Sequence, residues 1–308
     1  MKLGNFSGMN NSLCGGLSGQ SAVYAPVAGR LWTPSTWKLQ TGISGAGTFG
    51  GGVSETTPEA IWFNATGTKV FFSGVISGQL KSFDLVSAFD LQLNLPANSR
   101  TSVALKAVDG VTNVFPCALA LSANGLNLFT VDRTLNKLFK HTLGTAFLPT
   151  SVVATAAQEN ALNFATATGP NGMSFIETGG ACKFMFSNAV ASAAIQTYSM
   201  NALFDLTTCA QTSTVVTPVA NPYGCCWMDS GNKMAILGHT SGTVRCYVTG
   251  SPYVVPALTG SSHYDTIDLT QFGYIASSFT DIQFNLTGTR MYLTDHQNDR
   301  MVQFGMAG

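Results

Sequence analysis

One phrase occurs near both ends of the chain, as Phe63-Asn-Ala-Thr-Gly-Thr-Lys-Val-Phe71 and as Phe284-Asn-Leu-Thr-Gly-Thr-Arg-Met-Tyr292. Weaker copies lie between them. The shared glycines are Gly67, Gly125, Gly179, Gly231 and Gly288, separated by 58, 54, 52 and 57 residues. Four positions before each stands an apolar residue: Phe63, Leu121, Phe175, Trp227 and Phe284. A period of this size marks a repeated supersecondary unit that cannot bury its apolar face alone, so neighbouring units must stack.

The repeat runs beyond the glycine. Sixteen residues after it stand Phe83, His141, Tyr247 and Phe304, while the third unit is out of step with Tyr198 at nineteen. Six residues further on come Phe89, Phe147, Phe204 and Tyr253. The fifth unit has no such residue, because only four residues follow Phe304. Trp37-Lys-Leu39 resembles Phe89-Asp-Leu91 and supplies the missing piece from the other end. The expected closure therefore brings Trp37 and Leu39 to Phe304 and Met306.

Each unit holds several short apolar or alternating segments without helical periodicity, which fits a four-stranded propeller blade. The predicted fold class is all-β: a five-bladed β-propeller of antiparallel blades, the last closed by an N-terminal strand. Residues 31–308 form the propeller and residues 1–30 an extended arm. Ala60-Ile-Trp-Phe63 reads as an innermost strand, apolar on both faces, with Asn-Ala-Thr-Gly as its turn. Leu80–Leu85, Ile195–Met200 and Met301–Met306 read as third strands. The outer strands are expected at Thr101–Val108, Ser151–Ala157, Thr212–Val219 and Asp265–Leu269.

Charged residues make up 10% of the chain, and fifteen basic residues cancel fifteen acidic ones. Nothing in that balance points to nucleic acid or an anionic membrane as a partner. So few surface charges give little protection against self-association, which suits a subunit of an assembly or a homo-oligomer. Residues 1–30, rich in Gly, Ser and Asn, carry no apolar run of the kind a secretory signal needs, and no segment is long enough to span a membrane. They read either as a frayed tail or as an arm along a neighbouring subunit. Seven cysteines show no metal-ligand spacing, and their odd number argues against a complete disulfide framework. Cys225 and Cys226 are adjacent on an inner strand and should face opposite ways.

Chemistry is sparse. His141 stands where other units place an aromatic ring, so it is expected in the core, as are Trp62 and Trp227. Asn64-Ala-Thr66 and Asn285-Leu-Thr287 match the glycosylation pattern, but their repetition at the hairpin marks them as turn residues. In a propeller, the loops before the inner strands share a face with those joining second to third strands. The first set supplies Glu59, Tyr223 and Asp281; the second supplies Asp132, Arg133, His239, Asp295, His296 and Asp299. Thr294–Arg300 is the densest polar stretch, readable as a solvated turn or as part of a site at the channel mouth. No catalytic residue is assigned, because the third blade offers only Ser187–Ser192 to this face and the first only Ser73–Gly78, and no metal or cofactor is assigned either.

The phrase Pro58–Phe71, followed by Leu80-x-x-Phe-Asp-Leu85 and Ala88-Phe-Asp-Leu91, resembles propeller repeats of bacteriophage tail and other virion proteins. It departs from them where a turn aspartate is replaced by Thr66 and Thr287. The resemblance implies a non-enzymatic virion protein of a tail or fibre, assembled in the host cytoplasm. Its partners would be other virion proteins, reached through residues 1–30, or a host surface glycan or protein. A carbohydrate-binding propeller is the alternative, and a propeller hydrolase or lyase is the third reading. The last requires an acidic or histidine cluster lining the channel, with activity lost on changing Asp281 or His296.

Overall fold

The computed structural model describes residues 37–44, 57–75, 78–91, 101–105, 116–153, 158–162, 169–189, 193–260, 263–285 and 287–306. Among the described residues twenty strands form five four-stranded antiparallel sheets. In blade 1, β2 (Pro58–Phe63), β3 (Lys69–Gly74), β4 (Gln79–Asp84) and β5 (Thr101–Ala104) lie side by side, and in blade 2 β6 (Pro116–Leu121), β7 (Asn127–Asp132), β8 (Lys137–Thr142) and β9 (Gln158–Ala161). Blade 3 holds β10 (Pro170–Thr178), β11 (Ala181–Asn188), β12 (Ala194–Met200) and β13 (Cys209–Val216). Blade 4 holds β14 (Pro222–Met228), β15 (Lys233–Gly238), β16 (Thr243–Val248) and β17 (His263–Asp268). Blade 5 takes β18 (Phe279–Phe284), β19 (Arg290–Asp295) and β20 (Arg300–Met306) from the end of the chain and β1 (Trp37–Ser44) from its beginning.

The N-terminal strand closes the last blade, with Trp37 opposite Met306 and Leu39 opposite Phe304. The first strands pack in a ring, β2 on β6, β6 on β10, β10 on β14, β14 on β18 and β18 on β2. Strands covered on both faces read as continuous apolar runs, which is why β2 and β6 are buried along their whole length. Cys225 and Cys226 serve different interfaces, the first packing toward blade 3 and the second toward blade 5.

The repeated glycine has a packing reason. Gly67 adopts φ +67°, and a Cβ there would lie 2.1 Å from the ring of Phe89. Phe89 in turn donates its backbone N–H to the Gly67 carbonyl at 2.8 Å. Phe147 locks onto Gly125 and Tyr253 onto Gly231 in the same way, at 2.9 and 3.0 Å. Blade 3 departs because its first hairpin turns through Gly179-Gly180, both at positive φ, and its strands are longer, which moves Tyr198 and Phe204 out of step. Nothing lies within 4 Å of a Cβ built on Gly179.

Asn64 and Asn285 are buried turn residues, each accepting a hydrogen bond at 2.9 Å, from the Lys69 and Arg290 N–H. His141 is buried in β8, 3.3 Å from the Thr130 hydroxyl, and burial lowers its pKa to about 4. One outer strand differs from expectation: β9 starts at Gln158, not Ser151, because Pro149–Ser151 forms a 3₁₀ turn with proline at its start. The proposed arm, residues 1–30, lies outside the described residues. Among the described residues no helix is long and apolar enough to cross a membrane.

Candidate functional site

Every innermost strand carries a β-bulge next to its first residue. The register slips between Pro58 and Ala60, Pro116 and Ala118, Pro170 and Gly172, Pro222 and Cys225, and Phe279 and Asp281. The residue left without a partner is Glu59, Cys117, Asn171 and Thr280 in blades 1, 2, 3 and 5, and in blade 4 the slip falls at Tyr223-Gly224. A bulge bends its strand and re-aims the extra side chain. Here five such residues come from the same end of the central ring.

Hydrogen bonds between blades hold this end in place. Ser73 donates to the Pro116 carbonyl at 2.8 Å, Cys117 to Pro170 at 2.9 Å, Ser187 to Tyr223, and Thr280 to Pro58 at 3.0 Å. At the remaining joint, between blades 4 and 5, His239 Nδ1 lies 2.8 Å from the Phe279 carbonyl. A carbonyl can only accept, so Nδ1 carries the proton and the Nε2 lone pair of the neutral ring is left free.

The second set of mouth residues follows the second strands. Arg133 comes directly after β7, His239 after β15 and His296 after β19. The Arg133 guanidinium reaches to blade 1, where Nη2 donates to Glu59 Oε2 at 3.0 Å, and also lies over the Tyr223 ring of blade 4 at 5.4 Å. Tyr223 is stacked on His239 with ring centroids 4.1 Å apart, and His239 is 5.4 Å from the ring of His296. His296 Nδ1 lies 3.9 Å from Glu59 Oε1, which closes the circuit.

Charge in this cluster is strongly conditioned by burial. Glu59 is 4% exposed, and desolvation raises its pKa against the lowering effect of Arg133. Burial lowers the pKa of both His239 and His296, against the raising effect of the Phe279 carbonyl on the first and with a further lowering from His239 on the second, so both are neutral near pH 7. Burial opposes the charge on Arg133, but Cys117, Glu59 and Tyr223 hold its pKa above the ordinary value. The Cys117 thiol is pushed up to about 12 by burial, so it stays a protonated donor and not a nucleophile.

The other sequence-derived candidates have structural duties. Asp132 Oδ1 accepts the Leu135 N–H at 2.7 Å and shapes the turn that begins with Arg133. Asp295 accepts from the Asn298 N–H at 3.2 Å and from Arg300 Nε at 2.8 Å, doing the same for the turn of His296. Asp299 holds the positive-φ position of that turn. Asp281, together with Glu59 and Tyr223, was expected in a loop but lies in a strand. Its Oδ2 accepts the Ile61 N–H at 3.0 Å and its Oδ1 the Ile282 N–H at 2.8 Å. Complete burial raises its pKa well above the carboxylate range in spite of both donors. With Thr280 on the Pro58 carbonyl and Thr294 on the Glu59 carbonyl at 3.4 Å, blade 5 grips the backbone on both sides of Glu59. Sequence reasoning passed over Cys117, Asn171 and Thr280. Among the described residues no group of three or more His, Cys, Asp or Glu is placed to hold a metal ion.

No family model matches this chain, and no curated protein matches it. Among solved structures, the glutaminyl cyclase of Myxococcus xanthus is similar over 88% of this chain and 97% of its own, with a TM-score of 0.50 and 12% identity. The periplasmic gluconolactonase PpgL of Pseudomonas aeruginosa aligns over 69% of this chain and 54% of its own, with a TM-score of 0.43 and 10% identity. The first likeness establishes the fold and no more. The expectation of a non-enzymatic virion component is nevertheless corrected. None of these comparisons links the chain to bacteriophage, and the Myxococcus xanthus protein that shares its fold is an enzyme, so the ring itself gives no ground for excluding catalysis.

Proposed function

We propose that the chain is a propeller enzyme of the hydrolase or lyase class, working by general acid–base chemistry at the mouth of its central ring. The observation that carries this reading is the convergence of Glu59, Arg133, His239 and His296 from four blades, with His239 fixed in one tautomer. A catalytic acid and base are most effective when their pKa values are drawn toward the working pH. Burial moves Glu59 up and both imidazoles down, which brings the two kinds of group together. In this arrangement Glu59 gives a proton to the leaving oxygen and His239 Nε2 takes one from water or from carbon. Thr280, Thr294 and Asp281 hold the acid in position.

A lectin with one shallow site per blade would present like residues at the five equivalent bulges. Those residues differ in charge, size and aromaticity from blade to blade, which favours a single asymmetric site. The test is a screen of the purified protein against neutral and acidic polysaccharides and aryl glycosides, with Glu59→Gln and His239→Gln as controls. Loss of each group should lower turnover by about 10²–10⁴-fold. No turnover above background, or turnover equal to the parent in both variants, would reject the reading.

A further inference from the structure

We infer that the substrate carries a carboxylate, that Arg133 binds it, and that this displaces Glu59 from the guanidinium and leaves it free to act as the proton donor. The inference rests on the acid–base reading and names the substrate class of that same site. Arginine offers five N–H donors in a planar fork that matches a carboxylate. In this structure one donor is used by Glu59, while the buried Nε–H has no partner. The side chain is 28% exposed, and its guanidinium carbon lies 5.4 Å from the centre of the Tyr223 ring. The turn that carries it is fixed in place, since a Cβ on Gly169 would lie 2.2 Å from the Arg133 carbonyl oxygen.

Charge balance selects a monoanion. Arg133 is the permanent cation of this cluster, and Glu59 already neutralises it. An incoming carboxylate can take over that role if Glu59 gains a proton, leaving the net charge of the site unchanged. A dianionic phosphate would add a charge that nothing offsets. The groups facing Glu59 are Arg133, His296, Asp281, Cys117 and Tyr223. Of these only Arg133 favours its ionised form, so losing that partner shifts Glu59 toward the protonated acid.

The test is calorimetric titration at pH 7 with glucuronate, acetate, glucose and sulfate, a dianion at this pH, repeated in two buffers of different ionisation enthalpy to count protons. Glucuronate and acetate should bind with net proton uptake, and glucose and sulfate should not bind at the same concentrations. Glucuronate affinity should fall at least about tenfold in Arg133→Gln and less in Arg133→Lys, which keeps the charge but not the fork. Glu59→Gln should still bind glucuronate but lose the proton uptake, whereas uptake that survives there would belong to His296 and overturn the assignment. Binding of glucose as tight as glucuronate, carboxylate binding indifferent to Arg133, or no carboxylate binding at all would also overturn it. Glu59-dependent turnover of neutral glycosides without carboxylate binding would sink this inference alone. Arg133-dependent carboxylate binding with turnover unchanged in Glu59→Gln and His239→Gln would sink the acid–base reading and the donor role of Glu59, leaving only the carboxylate site.

Discussion

Replacing Gly67 by alanine separates the two reasons for the repeated glycine, because Gly179 shares one of them and lacks the other. Both have positive φ, +67° and +52°, where a non-glycine residue is disfavoured by about 1–2 kcal/mol. At Gly67 the new methyl would also lie 2.1 to 2.4 Å from three ring carbons of Phe89, while at Gly179 it would meet nothing within 4 Å. Phe89 cannot swing away freely, since its carbonyl accepts from Arg290 Nη1 at 2.7 Å and from the Tyr292 hydroxyl, both in blade 5. Overpacking of this kind costs about 1–3 kcal/mol. Gly67→Ala should therefore destabilise by about 2–5 kcal/mol and Gly179→Ala by about 1–2 kcal/mol. The smaller entropy of the unfolded chain applies to both and cancels in the comparison. Urea denaturation supplies the measurement, read as a shift in midpoint at constant slope. In a Phe89→Ala background the excess at Gly67 should vanish, giving a coupling of about 1–3 kcal/mol. Equal destabilisation at the two glycines, or an excess that persists without the ring, would refute the lock.

Three further outcomes follow from the same geometry. The pH–rate profile should be bell-shaped, its alkaline limb set by Glu59, which burial raises above 4.5, and its acid limb by His239, which burial lowers below 6.5. The alkaline limb should disappear in Glu59→Gln and the acid limb in His239→Gln, as a pH–rate profile on any turned-over substrate will reveal. His141 is buried neutral with its pKa lowered to about 4, so its contribution leaves stability intact above 6.5 and erodes it as pH falls from 6.5 toward 4. At pH 5 His141→Phe should thus be more stable than the parent by about 2 kcal/mol relative to their difference at pH 7, measured by denaturation at both pH values. Removing residues 300–308 deletes β20, the strand between β1 and β19, and should abolish cooperative unfolding, whereas a sharp transition in circular dichroism would show that the seam is dispensable.

The fold was legible because its determinants are local and repeated. A glycine, an apolar residue four before it and an aromatic 22 after it reappear wherever the same lock is built, as at Gly67 and Phe89 or Gly231 and Tyr253. Even the seam left a trace, in Trp37-Lys-Leu39. The site was harder to read because its parts are the positions where the repeat is free to vary, and variation carries no periodic signal. The register nonetheless locates it. Glu59, Cys117, Asn171, Tyr223 and Thr280 each stand eight residues before their repeat glycine, and Arg133, His239 and His296 each stand eight residues after it. Both offsets mark the same end of a hairpin whose turn is the glycine, since two antiparallel strands of equal length begin and end together. The strand-start offset also falls on the bulge, where the extra side chain is re-aimed. Asp132 and Asp295, one residue nearer the glycine, are held in the turns instead. What composition alone hid is that four blades contribute unlike groups to one cluster, while the second strands of blades 1 and 3 are followed only by Val75 and Ala189. A ring built from near-identical units thus obtains one asymmetric site from two variable positions per blade, and the packing that enforces the repeat also keeps those positions aligned.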